Sequence, residues 1–139
     1  MMEKMQEIRL FSSLNIRGKR KGTASPQELD ILSRIMLSGV PMTPLDMASV
    51  TGLGKSAVSR LIESLESKAF LSKQYNKKDK RSYTLHITEK GNKELRQAYH
   101  HYLEPVYRLR RTIGEERFKA LMEQIKEANY MLQKKGEDK

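Results

Sequence analysis

Apolar residues in this chain recur mostly at helical spacing, and in one stretch at strand spacing. Ser25-Pro26-Gln27-Glu28 has a capping hydroxyl, a proline at the first helical position and a carboxylate three residues after the cap. The helix it opens puts Leu29, Leu32, Ile35 and Met36 on one face and stops before Gly39. Thr43-Pro44-Leu45-Asp46 repeats the opening, and Gly52 closes a short second helix. After Gly54, Val58, Leu61, Ile62 and Leu65 fall at i, i+3, i+4 and i+7, which predicts a third helix to about Lys68. The period then changes. Leu71–Tyr75 and Ser82–Ile87 are rich in β-formers, with Tyr83, Leu85 and Ile87 alternating against Ser82, Thr84 and His86. Thr88 caps a long helix striped by Leu95, Ala98, Tyr99, Tyr102, Val106, Leu109 and Ile113, which Pro105 is expected to kink or divide. A last helix starts near Gly114-Glu115-Glu116 and carries Phe118, Leu121, Met122, Ile125 and Leu132. At the front, Met5, Ile8, Phe11 and Leu14 predict another, ahead of the basic stretch Arg17-Gly18-Lys19-Arg20-Lys21-Gly22.

Charge narrows the partner. Lys and Arg total 27 against 17 acidic residues, a formal +10 that favours a polyanion, either nucleic acid or an anionic membrane surface. No apolar run is long enough to span a bilayer, and Met1–Leu10 is charged throughout, so a cytoplasmic protein without a cleaved signal is expected. The absence of cysteine removes disulfides, thiolate chemistry and cysteine-ligated zinc together. With 37% hydrophobic residues a monomer would have a thin core, which a partner subunit would relieve.

The sharpest motif is a spacing. Ala48, Gly52 and Val58 stand four and then six residues apart, with Leu61 three further on. Two helices joined by a tight turn need a small residue where they cross, glycine at the turn, and aliphatics where the second packs back. A plain helical hairpin meets the same needs. The third helix tips the balance, because Lys55, Ser56, Ser59 and Arg60 cluster opposite its apolar stripe, near the N-terminal end that a recognition helix offers to bases and phosphates. The strand connection Asn76–Arg81 adds Lys77, Lys78, Lys80 and Arg81, a basic tip able to enter a minor groove. Asp79 is expected to pair with Arg81 or to cap the turn, supporting the wing.

On these residues Ser25–Gly91 resembles the MarR family of winged-helix regulators. Ser56-Ala57-Val58-Ser59-Arg60-Leu61 matches the family's recognition helix, and Asp79-Lys80-Arg81, Leu85, Ile87-Thr88 and Gly91 match its wing. The resemblance implies a homodimer whose N- and C-terminal helices interlock, with recognition helices in successive major grooves. It implies base or phosphate contacts for Lys55, Ser56, Ala57, Ser59 and Arg60, and a wing-tip role for Arg81. Ala57 departs from the usual hydroxyl residue, so a thymine methyl contact would replace a hydrogen bond there.

The expected fold is therefore mainly α: a winged helix-turn-helix with a two-stranded β wing and flanking dimerisation helices. Residues 1–23 would form the N-terminal dimerisation helix and basic linker, 24–91 the DNA-binding domain, and 92–139 the C-terminal dimerisation helices. The expected function is that of a sequence-specific regulator of transcription binding double-stranded DNA, a ligand-responsive repressor. The alternative is a winged-helix protein–protein interaction scaffold. Tyr99 and Tyr102 are candidates for a small-molecule effector pocket, although core or dimer packing is the commoner use of such a stripe. Arg108, Arg110 and Arg111 could contact phosphate or cover a helix end. His86, His100 and His101 could contribute to a metal site only by pooling ligands across a dimer, and surface or capping histidines are far commoner. No metal or cofactor is expected, and no catalytic set emerges, so an enzyme is not expected.

Overall fold

The computed structural model describes residues 1–15 and 23–137, so the basic stretch Arg17–Gly22 lies outside the described residues. Six helices and one hairpin follow in the order α1 (Met2–Leu14), α2 (Pro26–Leu37), α3 (Pro44–Thr51), α4 (Lys55–Ser67), β1 (Leu71–Tyr75), β2 (Tyr83–Ile87), α5 (Glu89–Ile113) and α6 (Glu115–Glu137). They divide into two compact units. One is built from the described residues of Arg17–Tyr102, the other from those of Met1–Ile16 and Leu103–Lys139. No described helix is long and apolar enough to cross a membrane.

The first unit holds the core. Leu29, Ile31, Leu32, Met47, Val58, Ile62, Leu65, Phe70, Leu71, Leu85, Leu95 and Ala98 are buried together, each large aliphatic contributing about 1.5–3 kcal/mol by leaving water. Helix α2 sits deeper than its stripe predicts. Ile31 is fully buried, whereas Met36, expected on the core face, is 46% exposed near the helix end. Both capping boxes form: Ser25 with Glu28, and Thr43 with Asp46. The hairpin pairs antiparallel, Leu71 opposite Ile87 and Tyr75 opposite Tyr83. Met42 adds an isolated bridge to Leu85, whose N–H donates to the Met42 carbonyl at 2.8 Å. One bridging residue has no period, so sequence pattern cannot announce it.

The turn from α4 into the hairpin is tightly specified. Phe70 N–H reaches back to the Leu65 carbonyl and Ala69 N–H to that of Glu66, a Schellman ending with Ala69 in the left-handed region at φ 62°. Thr88 ties the hairpin's other end to this turn: its hydroxyl donates to Ala69 O at 2.6 Å, and its N–H to Phe70 O at 3.1 Å. Thr88 also caps α5 by accepting from Gly91 N–H at 3.0 Å. A β-carbon on Gly91 would lie 2.0 Å from the Phe70 carbonyl oxygen. Only glycine fits.

Glu28 is a buried acid of this unit, 4% exposed. Its carboxylate accepts from Ser25 N–H (3.0 Å), the Ser64 hydroxyl (3.1 Å) and Lys68 Nζ (2.9 and 3.0 Å). Burial pushes its pKa up, but the hydrogen bonds from Ser25, Lys68 and Ser64 outweigh that and hold it below the ordinary carboxylate value. Glu94, also buried, accepts from Ala24 N–H at 3.1 Å.

The second unit is different. No residue of α1 is buried, and Met2, Met5, Ile8, Leu10, Phe11 and Leu14 are all exposed. Phe118, Leu121 and Ile125 of α6 are half-buried, while Met122, Tyr130, Met131 and Leu132 face outward. Helix α5 is not divided at Pro105. The proline forfeits one N–H bond, to the carbonyl of His101, and helical residues on both sides carry the course through. Arg111 pairs with Glu104 at 2.6 Å, Arg110 with Glu115 at 3.6 Å, and Arg108 donates to the Leu14 carbonyl.

Two measurements test this account. Substituting the junction residues should move stability in opposite directions in urea unfolding. Gly91→Ala should lose about 2 kcal/mol or more through the backbone clash, and Ala69→Gly should gain about 1 kcal/mol by relieving the left-handed alanine. The folded pKa of Glu28 lies below its unfolded value of 4.5, so its charged form stabilises fully above that pH and the contribution fades as pH falls through the folded value. Glu28→Gln should therefore flatten the acid limb of the stability profile, and an unchanged limb would contradict the assignment.

Candidate nucleic-acid interface

Helix α4 is held by Val58, Ile62 and Leu65 against the core, which turns its other face outward. Lys55, Ser56, Ser59 and Arg60 are exposed on that face, and Ala57 is half-buried. The helix begins at Gly54 with no side-chain cap, whereas Ser25 and Thr43 cap α2 and α3 with their hydroxyls. The first-turn N–H groups of α4 thus remain available to an external acceptor, at the positive end of the helix dipole.

The wing tip is a built turn. Asn76 N–H donates to Ser82 O at 2.9 Å, Ser82 N–H to Asp79 O at 3.1 Å, and Lys78 N–H to Asn76 Oδ1 at 2.9 Å. Asp79 does both things expected of it. Its Oδ1 accepts from Arg81 N–H at 3.0 Å and lies 3.5 Å from Arg81 Nε. The Arg81 side chain is 95% exposed, so this pair adds little stability. Its effect is to bias where the guanidinium stands. Lys77, Lys78 and Lys80 are likewise exposed around the turn.

Lys73 does not join them. Its ammonium lies 3.4 Å from Glu66 Oε1 and 4.9 Å from the centre of the Tyr83 ring. Burial pushes its pKa down, but Tyr83 and Glu66 outweigh this and hold it above the ordinary lysine value. It therefore stays charged and binds the wing's root to α4. Of the five basic residues between Ser72 and Arg81, four remain for a partner.

Helix and wing share a concavity. A groove of about 580 Å³ is lined by Lys55 and Ser59 of α4, by Arg81, Ser82 and Tyr83 of the wing, and by Thr43, Pro44 and Leu45 where α3 begins. Of the residues expected from the sequence to meet DNA, Lys55, Ser59 and Arg81 line this groove; the start of α3 and Tyr83, which line it too, were not singled out by the sequence. The Thr43-Pro44 cap was visible as a helix opening; nothing in the spacing showed that it borders the same groove.

The remaining candidates have local partners. The Tyr102 hydroxyl donates to Asp30 Oδ1 at 3.2 Å, and burial followed by the Asp30 charge raises its pKa to about 12. Asp30 also pairs with Arg34 at 3.0 Å. Tyr99 is exposed and meets the His100 ring edge-on at 5.9 Å. His86 shares a 2.8 Å hydrogen bond with Thr84. Among the described residues no three His, Asp or Glu side chains gather to hold a metal ion.

No protein-family profile matches the chain. It is 31% identical over 105 residues to the HTH-type transcriptional regulator YkoM of Bacillus subtilis, a match covering 73% of this chain and 64% of that relative's length. Among solved structures it superposes on BpsR of Bordetella bronchiseptica, whose DNA binding is regulated by 6-hydroxynicotinic acid. That likeness has a TM-score of 0.77 and 11% identity, and covers 91% of this chain and 96% of BpsR. AbsC, a MarR family transcriptional regulator of Streptomyces coelicolor, gives a TM-score of 0.76 and 21% identity over 94% of this chain and 90% of AbsC. With the capped helix pair, the outward-facing α4 and the basic hairpin in place, this chain has the winged-helix fold of the MarR family of transcriptional regulators.

Proposed function

We propose that the chain is a MarR-type transcription regulator that grips double-stranded DNA as a homodimer, a repressor responsive to a small-molecule ligand. One observation carries the DNA-binding reading: Lys55 and Ser59 of α4 and Arg81 of the wing line a single groove. In this reading Lys55, Ser56, Ala57, Ser59 and Arg60 meet the major groove, and Lys77, Lys78, Lys80 and Arg81 meet phosphates or the flanking minor groove. The uncapped start of α4 donates to a phosphate. Four exposed cations around one turn make affinity steeply dependent on salt.

The homodimer is supported by α1 and α6. Ile8 is 62% exposed, and the apolar residues around it have no core of their own. A two-fold partner would cover them and would present two recognition helices about one duplex turn, roughly 34 Å, apart. The effector is supported by the likeness to BpsR, whose DNA binding responds to 6-hydroxynicotinic acid. Tyr99 and Tyr102 remain the candidate contacts for such a compound.

Gel shifts on a duplex selected from a random pool test the reading directly. Arg81→Ala should weaken binding to all sequences and lower the salt slope by about 1, while Arg60→Ala should relax preference at particular base pairs. No shift at low salt with any duplex would leave the scaffold alternative standing. Sedimentation should show twice the chain mass, and Ile8→Lys should convert it to the single-chain mass while leaving the winged unit helical. A wild-type protein of single-chain mass at micromolar concentration would exclude the homodimer.

A further inference from the structure

We propose that Glu28, with Ser64 and Lys68, is a clamp that sets the rotation of α4 about its own axis and thereby aims Arg60 and Ser56; the proposal rests on the DNA-binding reading above.

The apolar contacts of α4 are strong but not directional. Val58, Ile62 and Leu65 are buried against the core, and such a stripe resists separation more than small rotation. The Glu28 carboxylate is directional. From the first turn of α2 it accepts the Ser64 hydroxyl at 3.1 Å on Oε2, and Lys68 Nζ at 2.9 and 3.0 Å on its two oxygens. Ser25 N–H, at 3.0 Å, fixes the carboxylate itself within the α2 capping box. The acceptor is therefore locked to one helix before it holds the other.

Position along α4 gives the clamp its reach. Ser56, Arg60, Ser64 and the C-cap residue Lys68 follow at four-residue steps, so they continue one ridge of the helix to its end. Its C-terminal pair is anchored on Glu28, and its N-terminal pair is exposed on the proposed DNA face. A rigid helix turned at Ser64 turns equally at Arg60. A rotation of about 10° moves a group about 6 Å from the axis by about 1 Å, which is enough to spoil a bidentate contact to a base edge. Phosphate contacts from mobile lysines tolerate such a shift, so sequence discrimination should suffer while general affinity does not.

The test compares full-length wild type, Glu28→Gln, Ser64→Ala and a core control, Leu95→Val. Each is titrated with the selected duplex and with a scrambled duplex of equal length. Glu28→Gln keeps acceptors for Ser25 and Ser64 but loses the charged bond to Lys68. Its preference for the selected duplex should fall about tenfold, and Ser64→Ala about threefold, with scrambled-duplex affinity and salt slope unchanged. Leu95→Val should lower the melting temperature without changing preference. Ser64→Ala leaves the ion pair intact, so it decides the matter should Glu28→Gln not fold. Full preference in both clamp variants would overturn the proposal, as would an equal loss in Leu95→Val at matched melting temperature. A wild-type protein that prefers no duplex would instead remove the DNA-binding reading, and the clamp's role with it.

Discussion

The close approach of Gly91 to the Phe70 carbonyl is the constraint on which the wing depends. A hairpin joined to a domain only through its two ends could swing about its root. Here both ends meet at one point: Ala69 and Phe70 leave α4 where Thr88 and Gly91 enter α5, and Thr88 bonds to both carbonyls on the far side. No side chain intervenes, because at 2.0 Å none could. The wing's direction therefore follows from backbone geometry, and Lys73 on Glu66 adds a second tie slightly further out.

This changes how the wing motif should be understood. Ile87-Thr88 and Gly91 match a family wing pattern, but they lie at the base of the hairpin, where they shape the junction. The residues that would touch a ligand are at the other end, around Asp79 and Arg81. A motif can thus identify a binding module through the residues that hold it rather than those that bind.

Most of the winged unit could be read from sequence because its signals are local. Capping boxes, Gly52 in the left-handed region at φ 71°, and the period change after Phe70 each depend on a few adjacent residues. What escaped reading depends on distant residues meeting. Glu28 looked like a helix cap, and it is one, yet its second partner set lies 36 and 40 residues on. Lys73 lies on the basic hairpin, yet its ammonium is held by Glu66 of α4. Met42 bridges Leu85 without any pattern of its own. Pro105 was expected to kink or divide its helix, and it does not divide it, because the neighbouring turns sustain the helix.

The bare apolar surfaces of α1 and α6 have a consequence for the life of the chain. If those helices find their core only in a second copy, a newly made single chain is finished at its centre and unfinished at both ends. Such a chain is open to proteolysis until it meets its match, so unpaired subunits would be cleared first. If the chain also regulates transcription as proposed, the paired pool would then fall off faster than synthesis when synthesis slows, which would sharpen a switch without any change in affinity for DNA.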